Sequence, residues 1–306
     1  MKNSGHLEAC LNDARTAALQ AWEAIRPYYR QDFEIYHKDG EGPATEADIA
    51  ADRAILAHLQ ERYPASEYGF LTEESADSAE RLHRPYCWII DPIDGTRDFI
   101  AGGADFAVHV GLAGEITTGL PHEPLAGVVY QPIPGILYAA ARGAGAWQEN
   151  LKTGEITPLR VSENDTLDGQ RVLVTSSRIN ERLSRALRHL GIHEPRQRGS
   201  LGVKLGEIAA GTADIYLNIE RGPCKEWDAC APHIILREAG GRFTTLSGRE
   251  IRYNQRDCRV RNGLLGTNSR LHTPVLDRLR DLRDLWAMPE TANSHHAARR
   301  SASSKA

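Results

Sequence analysis

The sequence predicts an α/β protein of layered sheets and helices. The first half opens on an amphipathic helical pattern, a block of short apolar strand patterns follows, and the second half alternates strand-like with helix-like segments. Leu7, Leu11, Ala14, Ala18, Ala21 and Ile25 follow a helical period, and Pro27 marks the end of that helix. A second helix begins at Thr45, whose hydroxyl can cap the first turn, while Glu46 and Asp48 suit the positive end of its dipole. Ile49, Leu56 and Leu59 line one face, and Tyr63-Pro64 stops it. Tyr68-Gly69-Phe70-Leu71 is a short apolar run, and Cys87-Trp88-Ile89-Ile90 is a buried strand that ends by presenting Asp91. Residues 106–112, 125–130 and 136–141 read as further strands, and Gly143 and Gly145 mark a turn. The polar stretch 148–170 reads as surface and holds a subdomain boundary. Residues 1–155 are expected to form an N-terminal α+β subdomain, 156–287 a C-terminal α/β subdomain, and the small, basic residues 288–306 a disordered tail. In the second half, 172–175, 213–217 and 263–267 read as strands. Residues 179–190, 204–210, 228–239 and 274–285 read as helices, the third of them ended by Gly240-Gly241.

At 306 residues the chain has enough length for a full core without disulfide or metal staples. A composition of 41% hydrophobic and 25% charged residues excludes a disordered, collagen-like or disulfide-scaffold chain. The balance of 37 Lys+Arg against 41 Asp+Glu, a net charge of −4, gives no general reason to bind nucleic acid. Arg299, Arg300 and Lys305 in the tail are too few to change that. The longest apolar runs fall far short of the roughly 18 residues a membrane span needs. Glu8 and Asp13 interrupt the region where a signal peptide would be apolar. The five cysteines are scattered and include no CxxC, so a reducing cytoplasm is the expected location.

Chemistry concentrates in Trp88-Ile89-Ile90-Asp91-Pro92-Ile93-Asp94-Gly95-Thr96. A strand ends at Asp91, Pro92 stiffens the exit, and Asp94 follows three residues on. Two carboxylates this close repel unless a cation lies between them, and all-oxygen ligation suits Mg²⁺. Gly95-Thr96 then opens what can be a helix N-terminus, where free N–H groups favour a phosphate. Taken alone, Asp-Pro and Asp-Gly are also ordinary turn chemistry. Glu73-Glu74, Asp228 and Asp48 are likewise ambiguous singly, as a solvated turn, a helix cap and a first-turn acid.

Their joint order resolves this. TEAD (45–48), EE (73–74), WIIDPIDGT (88–96), EWDACAP (226–232) and EAGG (238–241) together resemble the inositol monophosphatase-like superfamily, over roughly residues 7–285. GVVYQP (127–132) and ARGAGAW (141–147) match that family's middle strands. The resemblance implies the layered αβαβα sandwich of the inositol monophosphatase and fructose-1,6-bisphosphatase type. It also implies a lithium-sensitive phosphomonoesterase that uses two or three Mg²⁺ ions per site. Carried over position by position, Glu73, Asp91, the Ile93 backbone carbonyl, Asp94 and Asp228 are the implied metal ligands. Thr96, Asp48 and Glu73 are the implied catalytic residues, which orient a water for in-line attack on phosphorus without a Cys or Ser nucleophile. Gly95, Thr96, Ser200, Lys204 and Asp228 are the implied substrate contacts.

Within the superfamily, Arg97-Asp98-Phe99 departs from the Thr-Asn-Phe usual in inositol monophosphatases and resembles the 3'(2'),5'-bisphosphate nucleotidases. GSLGVK (199–204) and EWDACAP followed by IRYNQRD (251–257) resemble the same subfamily. The implied reaction removes the 3'-phosphate of adenosine 3',5'-bisphosphate, serving sulfur metabolism. Inositol monophosphatase and histidinol phosphatase are the alternatives, since Arg after DGT also occurs in the latter. A non-catalytic scaffold is disfavoured because every implied ligand position is intact. His109 and His233 are expected to be packed core imidazoles, and Tyr253 either stacks on a base or packs. The expected partner is a small phosphate ester, and a homodimer is common in the superfamily.

Overall fold

A computed structural model describes residues 4–37, 42–116, 119–175, 179–219 and 224–286. The tail expected to be disordered, 288–306, lies outside the described residues. The first half contains α1 (Ser4–Ile25), β1 (Ile35–His37), β2 (Pro43–Thr45), α2 (Glu46–Arg62), β3 (Tyr68–Thr72), β4 (Tyr86–Asp94), α3 (Thr96–Ile100), β5 (Ala107–Gly114), β6 (Glu123–Gln131), β7 (Ile136–Ala141), β8 (Gly145–Asn150) and β9 (Glu155–Pro158). The second half contains β10 (Val172–Thr175), α4 (Glu181–His189), β11 (Arg196–Arg198), α5 (Leu201–Ala209), β12 (Ile215–Asn218), β13 (Cys224–Lys225), α6 (Glu226–Glu238), β14 (Arg242–Thr245), β15 (Arg259–Val260), β16 (Leu264–Thr267) and α7 (His272–Leu279).

Strands β3 to β9 form a seven-stranded sheet in sequence order, antiparallel except for the β3–β4 pair. A second, five-stranded sheet has the order β11-β10-β12-β16-β14. The alternation of side chains along β4 shows how the layers arise. Trp88 and Ile90 point into the cluster formed with α1 and α2, whereas Cys87 and Ile89 point into the cluster formed with α5 and α6. A strand buried on both faces reads as a continuous apolar run, and this one does. The inner cluster also takes Leu173, Tyr216, Phe243 and Leu264 of the second sheet, whose other face packs Val172, Val174, Ile215 and Leu217 against residues of α4 and α7. The order is therefore helices, sheet, helices, sheet, helices, the αβαβα sandwich that the resemblance implies.

Helix α2 starts where the sequence places it. Thr45 caps it by accepting from the Ala47 N–H at 3.2 Å, and Ile55 and Leu59 are fully buried. Each such side chain contributes about 1.5–3 kcal/mol. Helix α6 lies tight on the first sheet because β5 and β6 offer it glycines. A Cβ at Gly111 would stand 2.9 Å from Cys230 Sγ, and one at Gly127 2.8 Å from Ala231 Cα.

Some elements differ from expectation. The stretch read as surface contributes β9 and the last residues of β8; β9 is exposed throughout, so it carries no apolar alternation to read. Strand β14, with one large apolar residue in RFTT, gives a similarly weak signal. Helix α5 begins at Leu201 rather than Lys204, with Ser200 as its cap. The final helix gives way to a 3₁₀ turn over Arg280–Leu285, inside which Leu282 is non-helical.

Candidate active site

The site is built where β4 ends. Asp91 pairs with His109 and Asp94 with Ala107, so three steps along β4 span two along β5 and the strand bulges. In a regular strand, residues three apart point to opposite faces; the bulge turns Asp94 back toward Asp91. Asp91 Oδ1 accepts from the Ile93 N–H at 3.1 Å, which tightens the turn through Pro92. Gly95 sits at φ 98°, a region that favours glycine, and a Cβ there would also meet the Asp105 carbonyl at 2.8 Å. Thr96 opens the short helix α3, and its hydroxyl donates to the Ile93 carbonyl at 3.0 Å.

Asp228 arrives from the first turn of α6, its Oδ2 accepting from the Lys225 N–H at 2.8 Å. One carboxylate oxygen each of Asp91, Asp94 and Asp228 lies within 4.8 Å of the others. Asp91 is 1% exposed. Burial first, and then the charges of Glu73, Asp94, Asp228 and Asp48, push its carboxyl well above the usual range. Burial and Asp94 push Asp228 up to about 6, against the Lys225 N–H. Carboxylates crowded this way hold protons or a cation, and an all-oxygen donor set fits a hard divalent ion. Glu73 follows β3, and its backbone N–H donates to the Ile90 carbonyl at 3.3 Å, which sets it beside Asp91. Asp48 lies on the first turn of α2 with Oδ2 accepting from the Thr45 N–H and hydroxyl at 2.7 and 2.6 Å.

Ser200 and Lys204, expected as substrate contacts, are both buried beside the acidic cluster. The Ser200 hydroxyl caps α5 and donates to Asp94 Oδ2 at 2.6 Å. Lys204 is 1% exposed. Its ammonium donates to the carbonyls of Gly199 and Arg198 at 2.8 and 3.2 Å and lies 5.3 Å from the centre of the Tyr216 ring. Burial lowers its pKa to about 8, opposed by Asp94 and the other nearby acids. Because α5 starts at Leu201, Lys204 falls within the helix, its ammonium set between Tyr216 of β12 and the acids of the site.

Sequence reasoning missed two features. His109, expected to be a packed imidazole, is fully buried, yet its Nε2 stands 3.3 Å from Asp94 Oδ2. His109 lies directly across the ladder from the motif's first aspartate, a register that only the folded sheet reveals. Glu226, just ahead of Trp227-Asp228, is 1% exposed and accepts from the Asn254 and Gln255 N–H groups at 2.6 and 2.9 Å. Burial raises its pKa to about 7, against those two donors. Glu226 thus fastens the loop after β14 to the start of α6, and buried Arg81 ties the same loop to the segment before β4, binding the Asn254 amide oxygen at 2.7 Å and Asp77 at 2.6 Å. Tyr253 packs: it is fully buried with its hydroxyl 2.9 Å from His233 Nδ1.

Residues 6–283 match the family described as the inositol monophosphatase family. The chain is 31% identical over 252 residues to a Salmonella typhimurium protein named 3'(2'),5'-bisphosphate nucleotidase CysQ, covering 82% of this chain and 94% of that one. It is 30% identical over 253 residues to inositol monophosphatase 1 of Solanum lycopersicum, covering 82% and 89%. Among solved structures, CysQ from Bacteroides thetaiotaomicron superposes with a TM-score of 0.69 at 26% identity, covering 85% of this chain and 97% of that one. The Anabaena inositol monophosphatase superposes with a TM-score of 0.70 at 26% identity, covering 90% and 97%. No described helix is long and apolar enough to cross a membrane. With the match spanning nearly the whole chain and the acidic cluster standing at the end of β4, the chain belongs to the inositol monophosphatase family.

Proposed function

We propose that this protein is a Mg²⁺-dependent phosphomonoesterase that cleaves the 3'-phosphate from adenosine 3',5'-bisphosphate, releasing AMP and inorganic phosphate. The observation that carries the reading is the convergence of Asp91, Asp94 and Asp228 within 4.8 Å beside Gly95 and Thr96. In this proposal Asp91, Asp94, Asp228, Glu73 and the Ile93 carbonyl hold two or three Mg²⁺ ions, whose charge stabilises the phosphoryl group and makes water a better nucleophile near neutral pH. Gly95 and Thr96 receive the phosphate at the turn into α3, and Asp228 borders the leaving group. The Thr96 hydroxyl spends its proton on the Ile93 carbonyl, so its lone pairs remain to accept from the attacking water. Glu73 and Asp48 are the neighbouring acids that orient that water. Ser200 and Lys204 support the site from behind.

The substrate rests on the nucleotidase relatives together with Arg97-Asp98, which stand immediately after the motif. The near-equal identity to a plant inositol monophosphatase supports a second reading, an inositol phosphate substrate. Phosphate release from adenosine 3',5'-bisphosphate, inositol 1-phosphate and histidinol phosphate, compared side by side in Mg²⁺, separates them. A kcat/KM for the nucleotide at least about tenfold above the others is expected; a preference for either competitor overturns the substrate while leaving the phosphatase.

A further inference from the structure

Asp94 differs from its two partners in how it is held. Asp91 and Asp228 each take a backbone N–H from their own turn, Ile93 and Lys225. Asp94 is gripped from distant elements. Ser200 Oγ donates at 2.6 Å, the Gly202 N–H at 3.2 Å, and His109 Nε2 lies at 3.3 Å, all on Oδ2. The His109 imidazole closes on the same carboxylate oxygen that Ser200 and Gly202 hold. His109 and Ser200 are both fully buried. Ser200 Oγ also stands 3.4 Å from His109 Nε2, so the three groups meet at one point. Nothing larger than glycine fits beside them, because a Cβ at Gly202 would lie 2.1 Å from His109 Nε2. Behind them, the Lys204 ammonium fixes the carbonyls of Arg198 and Gly199, which lead into Ser200.

We propose that His109, Ser200 and the Gly202 N–H form a clasp that fixes the Asp94 carboxylate through Oδ2 and so presents Oδ1 to the divalent cation. His109 and Ser200 are thus positioning residues of the metal site. This inference rests on the reading of Asp91, Asp94 and Asp228 as metal ligands. The clasp spans two layers of the fold, with His109 on β5 of the first sheet and Ser200 and Gly202 at the start of α5. Groups that orient a ligating side chain typically matter tenfold to a hundredfold for metal affinity.

The test is direct Mn²⁺ binding to chelator-stripped protein, read from the free-ion electron paramagnetic resonance signal, with thermal unfolding of each variant alongside. Ser200→Gly removes the hydroxyl and leaves a residue that helix N-caps tolerate well. Gly202→Ala displaces the imidazole from the opposite side, and His109→Leu removes it. Each is expected to bind Mn²⁺ about 10–100-fold more weakly. The Ser200→Gly/His109→Leu double variant is expected to fall within about threefold of the weaker single, as members of one unit do. Should His109→Leu fail to fold, the two α5 variants decide the matter. Folded Ser200→Gly and Gly202→Ala proteins that bind Mn²⁺ within about twofold of wild type overturn the clasp. Asp94→Asn separates this from the underlying reading. If it abolishes binding while the clasp variants retain it, only the clasp fails; if it binds Mn²⁺ like wild type, the metal reading itself fails.

Discussion

Asp91 and Asp214 are both buried aspartates, 1% and 0% exposed, yet the protein treats them oppositely. Asp214, beside β12, accepts from Ser162 Oγ, Asn164 Nδ2, and the backbone and guanidinium N–H groups of Arg171. Burial raises its pKa, but those donors, Arg171 foremost, outweigh it and hold the carboxyl below the usual range. Asp91 receives one backbone N–H at 3.1 Å and faces other acids, and its carboxyl moves the other way. Asp214 is satisfied by the fold, whereas the crowding of Asp91 with other acids is what the proposed cation would relieve.

Asp91→Asn and Asp214→Asn put that contrast to the largest test. Asp91→Asn is expected to lower phosphatase kcat/KM by on the order of a thousandfold. Its urea midpoint in chelator should be unchanged or higher, because a repelling charge is gone. Asp214→Asn is expected to lose roughly 2–4 kcal/mol of stability, toward the lower end because Arg171 is partly exposed and can turn to water, while the folded fraction keeps its activity. Equal destabilisation by the two substitutions breaks the comparison.

Mg²⁺ should sharpen it. Saturating ion is expected to raise the thermal midpoint of wild type, by about 2.7 kcal/mol of stability at 100 times the dissociation constant. Asp91→Asn should show little of that shift, measured by scanning fluorimetry with and without chelator. A full shift in the variant places the ion elsewhere.

A smaller effect comes from histidines kept neutral by burial. His233 is lowered to about 3 by burial and the nearby Arg237 and Arg252, and His272 to about 4 by burial and Arg242. Each folded pKa lies below the ordinary 6.5, so between those values the unfolded chain binds protons the native state does not. The contribution of these two imidazoles is therefore full above about pH 6.5 and is lost as pH drops toward 4. Denaturant titrations of His272→Gln should show a shallower fall over that window than wild type; an identical slope excludes the imidazole. The smallest effect is expected on exposed β9, where Ile156→Lys should change stability by under about 0.5 kcal/mol and leave phosphatase activity unaltered.

The parts legible in the sequence were those set by local chemistry: the Thr45 cap, the two-sided apolar run of β4, and the chain of carboxylates that β4 and α6 bring together. Local spacing could not show that Lys204 turns inward, because that follows from α5 beginning one cap earlier, at Ser200. Nor could it separate His109 from an ordinary core histidine, since its partner Asp94 is delivered by a bulge in the neighbouring strand. Strand β9 escaped notice because an exposed edge strand leaves no apolar imprint.

The most direct test of the central claim is phosphate release from adenosine 3',5'-bisphosphate by wild type and Asp94→Asn, each assayed in Mg²⁺ and again in excess chelator. Wild type is predicted to turn over only with Mg²⁺, and Asp94→Asn to be inactive in both conditions. Turnover by Asp94→Asn at the wild-type rate, or wild-type turnover undiminished by chelator, would contradict a cation-dependent site at Asp91, Asp94 and Asp228.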